Sequence, residues 1–117
     1  MSKQKDLGRS LENRIAEKAR ERGLPAKRHF MSGMNPEEVG DGHIRNVLYE
    51  AKLRTVATNA RGEKSLTLPL DAFRQVQKQA TDMGYEQGIL VVNPKGSSKP
   101  MALVDLDWLL GLLADGA

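Results

Sequence analysis

The chain has 117 residues, no cysteine and only two, widely separated histidines: one domain able to bury its own core, with neither a disulfide framework nor an ordinary zinc site. No apolar run spans a membrane and no signal peptide opens the chain, so a soluble protein of the cytoplasm is expected. The net charge is +3, but residues 1–30 hold nine Lys or Arg against four Asp or Glu, and the rest nine against eleven; this basic first quarter is either a solvated helix face or a surface for a polyanion, most simply nucleic acid.

Residues 1–6 read as a mobile tail and 7–117 as a single domain. A first helix is predicted from Leu7 to Arg22, with Leu7, Leu11, Ile15 and Ala19 as its apolar stripe and Glu12 on the flank of that stripe. Gly23 closes it. A short strand covers Ala26 to Phe30, and Met31 to Gly40 is a loop. Gly40-Asp41-Gly42 sets Asp41 on a tight backbone. A strand begins at His43-Ile44, turns at Arg45-Asn46 and returns as Val47 to Arg54.

That returning strand alternates cleanly. Val47, Tyr49, Ala51 and Leu53 form one row, and Leu48, Glu50, Lys52 and Arg54 the other, so Glu50 and Lys52 project side by side. Thr55 to Pro69 has little periodicity and reads as a long loop of the kind that carries function. A second helix runs from Ala72 to Met83, capped by Asp71. Its buried stripe is Phe73, Val76, Ala80 and Met83, with Gln77 at the edge. Gly88 to Asn93 is a continuously apolar strand, as expected of one covered on both faces. A polar turn with Lys95 and Lys99 leads to a strand from Met101 to Asp105. Asp105 or Asp107 then caps a final helix that is apolar nearly all round. One face of that helix is expected on the sheet and the other against a second subunit, or else the helix is wholly buried.

Hydrolysis of a phosphodiester needs a held cation, an activated water and relief of charge at phosphorus. Magnesium prefers oxygen ligands. Asp41 and Glu50 supply two carboxylates, the Ala51 carbonyl a third oxygen, and Lys52 an ammonium. The bland alternative for Glu50 and Lys52 is a solvated strand face with charge pairs. His43, two residues beyond Asp41, is either an auxiliary acid or an ordinary strand histidine.

The arrangement of Asp41, eight residues, then Glu50-Ala51-Lys52 resembles the PD-(D/E)-x-K nuclease superfamily. Within it, the chain is most similar to the small archaeal-type Holliday junction resolvases and their phage relatives. Glu12 matches that family's first-helix glutamate, and Arg28 with Ser32-Gly33 matches its basic residue and serine. Gly40 stands where the family usually has proline. The resemblance implies an α/β fold with a restriction-endonuclease-like mixed central sheet and flanking helices, in the order αβββαββα. It implies a Mg2+-dependent (or Mn2+-dependent) endonuclease that resolves four-way junctions. Asp41, Glu50, Glu12 and Ala51 would hold the metal, and Lys52 would activate or stabilise. Arg28 and Ser32 would contact DNA by that match, as would Arg54; Arg9, Arg61, Lys64 and Gln77 either contact DNA too or are ordinary solvated side chains. A homodimer through the carboxy-terminal helix would suit a two-fold junction, in a host cytoplasm if the chain is phage-encoded. The alternatives are another nuclease of this type, for flaps, nicks or a sequence, and a non-catalytic nucleic-acid-binding module.

Overall fold

The computed structural model describes residues 3–29 and 40–116, without the side chains of 3–10. The elements run α1 (Lys3–Glu21), β1 (Ala26–Arg28), β2 (Gly42–Ile44), β3 (Val47–Arg54), β4 (Ala57–Thr58), β5 (Lys64–Ser65), α2 (Leu70–Asp82), β6 (Gln87–Pro94), β7 (Met101–Leu103) and α3 (Leu106–Asp115). Five strands form one sheet in the order β1-β2-β3-β6-β7. β3 and β6 pair in parallel and the other neighbours antiparallel. The chain is therefore a mixed α/β protein with a mixed central sheet and three helices. Among the described residues, no helix is long and apolar enough to cross a membrane.

The alternation of β3 builds the two cores. Leu48, 0 % exposed, faces α2 with Phe73, Val76, Ala80, Leu90 and Val92. Tyr49, also 0 % exposed, faces α1 with Leu11, Ile15 and Val91. A one-residue slip would exchange the two sets, so the pattern fixes the register. Central β6 contributes to both cores, as its unbroken apolar run requires. Gly88 lets α2 lie directly on the sheet, since a Cβ there would stand 2.3 Å from the Val76 carbonyl oxygen.

Several expectations need correction. α1 starts at Lys3, not Leu7, because Lys3-Gln4-Lys5 are good helix formers that add no apolar period. β1 ends at Arg28, short of Phe30. The supposed loop Thr55 to Pro69 contains the β4–β5 hairpin, whose two-residue strands are too short to show a period. Its turn is held by Asn59, whose Oδ1 accepts from Arg61 N at 2.9 Å and Glu63 N at 3.0 Å. Asp71 does not cap α2: Pro69 occupies that position, with no side-chain cap. Met83 lies just past the helix and is 39 % exposed. β7 stops at Leu103, and Asp105 is the cap of α3, accepting from Trp108 N at 2.9 Å.

The largest departure is α3 itself. No residue of it is buried, so it is neither laid on the sheet nor wholly enclosed. The predicted loop Met31 to Gly40 falls, apart from Gly40, outside the described residues.

Candidate active site

Asp41 is placed by two glycines. Gly40 has φ +69°, and a Cβ on it would meet Leu48 Cδ1 and the Tyr49 carbonyl oxygen at 3.0 Å. A Cβ on Gly42 would lie 2.3 Å from Tyr49 Oη. Only glycine fits at either position. Between them, Asp41 continues the ladder beyond β2: its N–H donates to Tyr49 O at 2.9 Å, and its carbonyl accepts from His29 N at 2.8 Å.

The Asp41 carboxylate then turns along the sheet edge, and its Oδ2 accepts from Ala51 N at 2.7 Å. The N–H and C=O of a strand residue point to the same side. The Ala51 carbonyl therefore faces the edge that β2 leaves open, beside Asp41. Ala51 thus both anchors the aspartate and presents an oxygen there. Only the second role was expected.

Glu50 and Lys52 leave β3 on the α2 side, and their ions are 3.4 Å apart. Asp41, Glu50 and Lys52 line one pocket of about 250 Å³, closed by α2 through Ala72, Val76, Gln75 and Gln79. Burial first, then the Asp41 charge, pushes the Glu50 carboxyl above its ordinary range, while Lys52 pulls it down.

Glu12 comes from α1, on the opposite face of the sheet, and adjoins Asp41. Burial first, then Asp41, raises its pKa, against the lowering effect of Arg28. Arg28 Nε donates to Glu12 Oε2 at 2.7 Å, and its Nη1 donates to Asn13 Oδ1 at 3.1 Å. The structure thus pairs two of the expected site residues with each other, Arg28 with Glu12, and sets Glu12 beside Asp41. Among the described residues, no group of three acids or imidazoles is disposed to enclose a metal ion. The oxygen donors brought together are the Asp41 and Glu50 carboxylates and the Ala51 carbonyl. Two hard anionic oxygens and an amide oxygen suit magnesium, which keeps several of its waters. After burial, the Asp41 charge raises the Glu50 carboxyl, and a cation between them would offset that part.

The remaining residues divide. Arg54 donates to Leu53 O at 3.0 Å and lines a second pocket, of about 540 Å³, with Lys52 and Lys95. Arg61 and Lys64 are exposed on the β4–β5 hairpin. Gln77 is not at the carboxylate pocket: it lies over Gly88 and takes a 3.5 Å bond from Arg74. The glutamines that reach the pocket are Gln75 and Gln79, whose i, i+4 spacing beside Ala72 and Val76 was the available signal. His43 meets a second imidazole and a phenol. Its Nδ1 lies 2.7 Å from His29 Nε2, and its ring is 5.7 Å from that of Tyr85. Ser32 and the Arg9 side chain lie outside the described residues. No family model, no curated protein and no solved structure matches the chain.

Proposed function

We propose that the chain is a magnesium-dependent DNA endonuclease of the PD-(D/E)-x-K type, acting on branched DNA and most simply on four-way junctions. The observation that carries this is the meeting of Asp41, Glu50 and Lys52 in one pocket, with Asp41 fastened to the backbone of the E-x-K tripeptide. A solvated strand face would not need two obligatory glycines to set an aspartate against it.

Asp41, Glu50 and the Ala51 carbonyl would hold the ion, which supplies charge relief at phosphorus and a more acidic water. Lys52 offers its ammonium to a phosphate oxygen while steadying Glu50. Asp41 keeps its orientation through the Ala51 N–H. Arg28 holds Glu12 next to Asp41, so the third carboxylate acts as a charged neighbour. In the reaction, water oxygen bonds to phosphorus, the opposite phosphorus–oxygen bond breaks, and the leaving oxygen takes a proton.

Purified protein should cut four-way junction DNA with Mg2+ or Mn2+. Glu50→Gln or Lys52→Ala should lower the rate by about 100-fold or more, with DNA still bound by Glu50→Gln. A panel of junction, flap, nicked and plain duplex DNA identifies the substrate. The Glu12–Arg28 ion pair favours a second reading, a non-catalytic binder whose acids are already neutralised. Salt-sensitive binding, unaffected by chelator and without product, would establish that reading instead.

Assembly as a homodimer through α3 belongs to the same proposal. Leu106, Leu110 and Leu113 are 64 %, 51 % and 62 % exposed. An apolar trough lies between α1 and β7, floored by Ile15, Ala19, Ile89 and Val91 and rimmed by Lys18, Arg22 and Lys99. α3 carries Asp107 and Asp115 and no basic residue. Apolar surface and charge both match when α3 of one copy seats in the trough of the other, and two such contacts close a two-fold dimer.

A further inference from the structure

We propose that the basic pocket at the carboxyl ends of β3 and β6 seats one unpaired nucleotide of the DNA strand, next to the phosphate being cut. This rests on the nuclease reading above and adds a determinant of which DNA structures enter.

The pocket, of about 540 Å³, is lined by Lys52, Arg54 and Lys95, by the hydroxyls of Thr55 and Thr67, and by apolar Leu11, Ala51 and Leu53. Its size falls in the range of small-ligand sites, roughly 300–1,000 Å³. Three cations and no carboxylate stand among the described lining residues, which selects an anion. Short hydroxyls beside them suit phosphate oxygens, and the apolar wall suits the carbon face of a sugar. Lys52 lines this pocket and the carboxylate pocket alike. One ammonium thus stands between the reacting position and the seat, and a strand passing over it occupies both.

The seat is built into the fold. Lys95 N donates to Arg54 O at 2.9 Å, so the backbones carrying the two outer cations are tied together. Asn93, 2 % exposed, clamps the turn that follows: its Nδ2 donates to Pro94 O at 3.2 Å and to Ser97 O at 3.0 Å. Thr55 and Thr67 flank the β4–β5 hairpin, so that hairpin rises from the rim with Arg61 and Lys64 exposed on it.

Two features define the ligand further. Among the described residues, the lining has no aromatic ring to stack a base and no amide side chain to read a base edge. Binding is therefore through phosphate and sugar, without sequence preference. A nucleotide inside a duplex cannot leave its stack without unpairing, so a recessed seat favours a strand already open at that position, as at a branch point or flap.

The test is fluorescence anisotropy of an end-labelled single-stranded DNA and of the blunt duplex of the same sequence, in chelator so that nothing is cut. The single strand should bind more tightly. Arg54→Ala with Lys95→Ala should weaken single-strand binding about tenfold or more and flatten its log–log salt dependence by about 1.4, at 0.7 per lost phosphate contact. Arg54→Lys with Lys95→Arg should restore most of the binding, which separates lost charge from misfolding. Unchanged single-strand affinity and salt slope in the double alanine variant, or a preference for blunt duplex, would overturn the seat. Tighter binding of single-stranded RNA would overturn its assignment to DNA. If no form of the chain cuts DNA and the seat variants still lose binding, the nuclease reading fails and the seat stands.

Discussion

The two ends of the molecule break the ordinary sorting of side chains in opposite ways. Around β3 and α2, charged groups stand where water is scarce: Glu50 and Glu12 are half-buried beside Asp41, and both titrate high. In α3, leucines stand where water is plentiful, and no residue is buried. α2 shows what an element covered by its own chain looks like, with Phe73, Val76 and Ala80 buried on the sheet and Arg74 and Lys78 exposed. The difference teaches that each misfit lacks a complement among the described residues, and the proposed function assigns one to each: a cation and a phosphate to the carboxylates, and a second copy to α3.

The sharpest contrast comes from truncating one large apolar side chain in each helix. Phe73→Ala should cost about 3–5 kcal/mol, read from denaturant unfolding, because it opens a cavity between α2 and the sheet. Leu113→Ala should change the stability of dilute protein by no more than about 0.5 kcal/mol. A large loss from Leu113→Ala in dilute solution would mean that α3 folds back onto its own chain, and the contrast would break.

The next largest effect concerns assembly. Leu110→Asp with Leu113→Asp should convert a dimer to a monomer by light scattering, while the unfolding midpoint of dilute protein stays near wild type. Charge reversal at the trough, Lys18→Glu with Arg22→Glu, should weaken the dimer too, since those residues face Asp107 and Asp115 in the proposed contact. A wild type that stays monomeric at high concentration would remove the second copy as the occupant of the trough.

The packed region was largely legible in the sequence and the placement of α3 was not, for a physical reason. The period of two in Val47 to Arg54, the helical stripe through Phe73, Val76 and Ala80, and the unbroken run of β6 record which side of an element is dry. Asp41 was legible because glycines flank it at the right distance from Glu50. The Arg28–Glu12 pair was not, because it joins residues 16 apart across two elements and leaves no pattern in either. Gln77 marks one edge of the α2 stripe, and the pocket lies at Gln75 and Gln79 instead, because Gly88 packs beneath Gln77. The apolar surround of α3 stated that it must be covered, but not by what.

A smaller effect tests whether the buried carboxylates burden the fold. Glu50 titrates at its ordinary value of 4.5 in the unfolded chain and higher in the folded one. Between those values the folded state holds more protons, so this contribution is fully present below 4.5 and is lost as pH rises through the folded value. Glu50→Gln cannot ionise and escapes the loss. It should melt above wild type at neutral pH, with the gap closing as the pH falls below 4.5. Added Mg2+ should raise the wild-type melting temperature and leave Glu50→Gln nearly unmoved. Equal melting at neutral pH would mean that Lys52 already neutralises Glu50 fully, leaving no repulsion for an ion to relieve.

The smallest effect lies under the same cluster. Tyr49 is 0 % exposed, and its hydroxyl has no hydrogen-bond partner among the described residues. Burial, then the charges of Glu12 and Asp41, pushes its pKa up to about 12, so it stays a neutral phenol at any ordinary pH. The ring fills the space above Gly42 and packs with Leu11, Ile15 and Val91. Phenylalanine keeps that packing and removes a dehydrated hydroxyl, so Tyr49→Phe should be neutral or stabilising by about 1 kcal/mol in denaturant unfolding. A loss of stability would show that the hydroxyl has a partner in the folded protein. The carboxylates whose charge acts on it are Glu12 and Asp41, and a bond to either would make Tyr49 a positioning residue of the carboxylate site. A fall in cleavage by Tyr49→Phe at unchanged stability would distinguish that role from packing.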